Sequence, residues 1–136
     1  MTRLIQTQKP ANERKKLLVS IKLTQSELEK NNDLNQQTKD QAAFISMALL
    51  TISAGINTTV EPWEKRGYWV KADRFRTDWA WTGKLGMQLR EAILREDWGE
   101  ILQINKKIAE KLLQVKIPLK SRFDTPWTGA WQKLKQ

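Results

Sequence analysis

Neither cysteine nor histidine occurs in the 136 residues. Their absence excludes disulfides, thiolate nucleophiles, zinc sites of the usual kind and imidazole-based proton transfer, because the ligands and shuttles for that chemistry are missing. Acid–base work would fall to Asp, Glu, Lys or the one tyrosine, Tyr68. Glycine-rich phosphate loops and nucleophile elbows are lacking too. Carboxylates at helical spacing, such as Glu96 and Glu100, read as salt-bridge partners of neighbouring cations. A protein that is not an enzyme is expected, with no cofactor and no metal ligands. A cysteine-free chain fits a reducing compartment and hence a cytoplasmic location, and the opening MTRLIQTQKP has no apolar run of the secretory kind.

Negative charge is also scarce. Lysine and arginine number 24 against 15 aspartate and glutamate, for +9 and a pI near 9.9. The excess is spread along the chain, +3 over residues 1–60 and +6 over 61–136. Such a field favours polyanions through long-range attraction and counterion release. Alternation with period two is absent over any useful length, so no sheet is expected. Only one long uncharged run exists, between Asp40 and Glu61. Its apolar part, Ala42 to Ile56, is 15 residues long against the roughly 20 that a bilayer crossing needs. A buried central helix, with no membrane partner, is the expectation.

What is present is helical periodicity. The spacing predicts an all-α bundle of four to five helices over residues 11–136 as one domain, after a flexible N-terminal segment of residues 1–10. The first helix starts near Ala11 with Asn12 as a cap and turns Leu17, Leu18, Ile21 and Leu28 inward, leaving a basic side with Arg14, Lys15, Lys16 and Lys22. Thr24 to Glu27 resembles a capping box, and a break near Leu23 is the alternative to one continuous helix. After a polar connector at Lys30–Asp33, the second helix is expected from Leu34 to Ala54. Gly55 and Asn57 serve as its stop, and Thr58, Thr59 and Pro62 start the next element. Asp97 caps a fourth helix that faces Trp98, Ile101, Leu102, Ile108, Ala109 and Leu112 inward and ends at Pro118. A basic connector, Lys120 to Arg122, leads to a short terminal helix capped at Asp124 or Thr125. There Trp127 and Trp131, four apart, form an apolar clasp onto the bundle.

The stretch from Glu61 to Leu94 is the densest in information, with four of the seven tryptophans and seven cations, Lys65, Arg66, Lys71, Arg74, Arg76 and Lys84 among them. Tyr68, Ala72, Phe75, Trp79, Thr82, Gly86, Leu89 and Ile93 recur at steps of four and three, the core face of one helix that Gly67 can interrupt. At about 100° per residue Trp69 falls on the far side, with Lys65, Arg66, Arg76 and Lys84. Cations interleaved with an exposed indole suit nucleic acid: Lys and Arg neutralise phosphates, and a flat ring stacks on an unpaired base. Lys65, Arg66, Arg76 and Lys84 are therefore candidate phosphate contacts around Trp69. Lys107 and Lys111 extend the track, and Lys15, Lys16 and Lys22 form a second patch. The ordinary alternative is that Glu64, Asp73 and Asp78 neutralise these cations within the helix. A third reading makes the same Trp/Arg face a protein-docking hot spot with no nucleic acid.

In size, helix pattern and the basic faces around Arg66, Arg76 and Lys107, the chain resembles the small helical subunits of CRISPR effector complexes. The resemblance implies contact with a single strand or a guide–target duplex backbone, without sequence readout. It also implies packing beside other subunits or copies of itself, and no nuclease activity.

Overall fold

The computed structural model describes residues 10–31, 33–114 and 127–136. Five α-helices make up the fold, and no strand occurs among the described residues: α1 Pro10–Glu29, α2 Gln36–Lys65, α3 Trp69–Leu94, α4 Trp98–Lys111 and α5 Ala130–Lys135. A turn of 3-10 helix, Leu112–Gln114, continues α4. The all-α bundle read from the sequence is the architecture observed. The flexible segment expected before Ala11, the stop at Pro118 and the Lys120–Arg122 connector lie outside the described residues. The terminal helix expected from a cap at Asp124 or Thr125 instead starts at Ala130, with Gly129 in the left-handed region at φ +79° as its N-cap, so Trp127 lies in the turn before the helix.

The axis of the molecule is α2, which touches α1, α3 and α5. Its stripe of Ala42, Ile45, Leu49, Ile52, Ile56 and Val60 is buried, so the apolar run of the sequence is core. By length and composition alone α2 is also long and apolar enough to cross a membrane. It runs through the stop expected at Gly55 and Asn57 and past Pro62 to Lys65. The reason is burial: Ile56 and Val60 carry the stripe two turns further, and sealing them against the bundle outweighs the weak helix propensity of glycine, asparagine and threonine. Pro62 lies in the last turn, where the missing N–H forfeits one hydrogen bond. Similarly, α1 does not break at Leu23, because Thr24 is buried and donates its hydroxyl to the Ser20 carbonyl at 2.8 Å instead of capping a new helix. Asn12 is not a cap, since the helix already includes Pro10.

Small residues let α2 and α3 approach closely. Ser46 Oγ donates to the Gly86 carbonyl at 2.8 Å, and a Cβ on Gly86 would stand 3.1 Å from Leu50 and 3.2 Å from the Leu49 Cβ. Ser46 with Gly86 and Glu64 with Arg76 pair in opposite chain directions, which makes the two helices antiparallel. Asp97 caps α4 as expected, its Oδ1 accepting from the Glu100 N–H at 3.1 Å. Asp97→Ala removes that acceptor from an exposed helix end and is expected to cost about 1 kcal/mol in chemical denaturation, with an unchanged slope.

Candidate nucleic-acid interface

The chain reverses between α2 and α3 in three residues. Gly67 adopts φ +84°, with its N–H bonded to the Glu64 carbonyl at 3.0 Å and the Tyr68 N–H to the Trp63 carbonyl at 2.9 Å. This pair of bonds is the left-handed glycine stop of a helix, a conformation other residues adopt only with strain. It also takes Tyr68 off the core stripe. Tyr68 is 52% exposed, Trp69 59% and Val70 73%, three consecutive large side chains in water at the end of the helical pair. The far-side position expected for Trp69 is observed, whereas Tyr68, expected in the core, is not buried.

Around this corner stand Lys65, Arg66, Lys71 and Arg74, all exposed. From Lys65 to Ala72 the chain holds three cations and no carboxylate. Lys65, Arg66 and Arg74 form no salt bridge among the described residues. Lys71 Nζ lies over the Trp63 ring at 4.3 Å from its centroid, and Trp63 meets Phe75 edge-on at 5.2 Å. The corner is thus a cationic collar around an aromatic tip.

Arg76, a candidate phosphate contact, is engaged elsewhere. Its guanidinium grips the Glu64 carboxylate through both Nη1 and Nη2, and Nε donates to Asn57 Oδ1 at 3.1 Å. The hydrogen-bonded ion pair holds the Glu64 carboxyl below its ordinary pKa and raises that of Arg76. The neutralising alternative therefore applies to Arg76, through Glu64 across the α2–α3 interface. Arg14, expected on the solvated side of α1, stacks over Phe75 and Trp79 at 5.1 and 5.0 Å. Burial lowers its pKa, and it remains charged as guanidinium groups do.

The other candidates are scattered. Lys84 is exposed on α3, 15 residues beyond Trp69 and so roughly 22 Å along the axis. Lys107 and Lys111 are exposed on α4, which follows α3 from its end opposite the corner. Lys15 and Lys16 are exposed on α1, while Lys22 is half-buried and engaged by another group of the chain. The structure brings together Lys65, Arg66 and Trp69, and adds Tyr68, Val70, Lys71 and Arg74, which sequence reasoning did not place in the site. The signal that could have found them is Gly67, since a helix that restarts just after it leaves Tyr68, Trp69 and Val70 at a helix end with no preceding turn to cover them, while Ala72 keeps its place on the buried stripe. No family model matches the chain, and it has no significant match among curated proteins or solved structures.

Proposed function

We propose that this protein is a non-catalytic structural subunit of a larger ribonucleoprotein assembly that contacts nucleic acid through the phosphate backbone. The observation that carries this reading is the α2–α3 corner, where exposed Lys65, Arg66 and Lys71 stand within four residues of exposed Trp69 and no carboxylate lies between them in the chain. Cations so placed release counterions from a phosphate chain whatever its sequence. The exposed lysines of α1, α3 and α4 add attraction at longer range, in keeping with the net charge of +9. The resemblance in size and helix pattern to small CRISPR effector subunits agrees with such a role beside other subunits.

Fluorescence anisotropy with labelled oligonucleotides over a salt series tests it. Affinity is expected to fall steeply as salt rises, and Lys65→Ala/Arg66→Ala to weaken binding and flatten the log–log slope by about two. Both side chains are exposed, so the fold is unaffected. Absence of binding at low salt rejects the reading for the isolated chain. One observation favours a second reading: Tyr68, Trp69 and Val70 form an unbroken exposed aromatic and apolar step of the kind found at protein hot spots. Such a contact would weaken little with salt.

A further inference from the structure

We infer that the α2–α3 corner engages unpaired bases as well as phosphates, an inference that rests on the nucleic-acid reading above. A phosphate-tracking surface needs cations alone. This one also holds a tryptophan, a tyrosine and a valine in water at a turn whose shape Gly67 fixes. Paired bases hide their faces in the stack, whereas an unpaired base offers its face to an exposed ring.

A groove of about 330 Å³ lies beside the tip, lined by Trp63, Val70, Lys71, Arg74, Phe75 and Asp78. Its size falls in the range that holds one small planar ligand. Its aromatic wall is the Trp63–Phe75 pair, with the Lys71 ammonium over the indole of Trp63. A base entering the groove takes the place of that ammonium against the ring, and the freed Lys71 turns to the phosphate of the same nucleotide. Arg74, without a salt bridge among the described residues, supplies a second cation. Asp78 lies eight residues along α3 from Val70, roughly 12 Å, and keeps the anionic backbone toward the tip. One nucleotide occupies the groove and its neighbour stacks on Trp69. An anionic membrane would use the same cations but has no planar group for the aromatic wall.

The test uses the full chain and three probes: a labelled single strand, the same sugar–phosphate chain made abasic, and vesicles of equal parts phosphatidylcholine and phosphatidylserine. The single strand is expected to bind about tenfold more tightly than the abasic chain at one salt concentration, with equal salt slopes. Trp69→Ala, at an exposed position, is expected to remove most of that advantage and leave the slope unchanged. Equal binding of the two strands, with Trp69→Ala indistinguishable from wild type, overturns the base contact while a steep slope leaves backbone tracking standing. Failure to bind either strand overturns both, and vesicle binding in their place reassigns the corner to a lipid surface.

Discussion

Replacing Gly86 with leucine is expected to destabilise the fold by roughly 3 kcal/mol, a fall of about 10 °C in the unfolding midpoint. The position is in the middle of α3 and buried against α2. A Cβ there already meets Leu50 at 3.1 Å and the Leu49 Cβ at 3.2 Å, and the latter is fixed to its own helix backbone. Three further carbons have no space without separating the helices. Separation would stretch the Ser46–Gly86 bond of 2.8 Å and open the most extensive helix interface among the described residues. Gly83 supplies the control. A Cβ at Gly83 would fall 2.6 Å from Ser53 Oγ, but a serine hydroxyl rotates away at little cost. Gly83→Ala is therefore expected to be near neutral, its gain in helix propensity of about 1 kcal/mol offsetting the adjustment. Thermal denaturation followed by circular dichroism measures both. Equal effects at the two glycines would show that close approach is not specific to Gly86.

Asp40→Ala is expected to cost about 2–3 kcal/mol and to release the C-terminal helix. Asp40 is buried on α2, and its carboxylate accepts the Trp131 N–H at 2.9 Å and the Gly129 N–H at 3.3 Å. Those donors open α5, a helix of six residues with no side-chain cap of its own. Gln36 Nε2 donates to the same carboxylate at 3.2 Å, and the Lys39 ammonium lies over the Trp131 ring at 5.3 Å. Removing the carboxylate strands donors in a buried site, which costs more than losing an exposed bond. Tryptophan emission should shift to the red as Trp127 and Trp131 meet water, and proteolysis should cut first near the C-terminus. Asp40→Asn retains one acceptor oxygen and should fall between wild type and alanine. If alanine leaves emission and stability unchanged, α5 is held by its apolar face alone.

The sequence by itself determined the helical class, the stripes of α2 and α4, the cap at Asp97, the outward place of Trp69 and the inward place of Trp131, whereas Trp127 is buried from the turn before α5 and not from its helical face. These depend on residues within one or two turns of one another, where periodicity and capping chemistry are local. Tertiary structure alone decided that α2 runs on to Lys65, because the burial of Ile56 and Val60 draws on neighbours distant in sequence. It also decided which cations are committed. Arg76 is bound to Glu64 twelve residues back on another helix, whereas Lys65 and Arg66 are left to solvent. Likewise, Asp40 finds its partners some ninety residues on. Pairing of charges across helices depends on how the helices cross, and one local charge pattern is compatible with either a neutralised face or a free one. The aromatic corner arises from the same division: composition supplied tryptophan among cations, and the turn at Gly67 set which of those side chains face water.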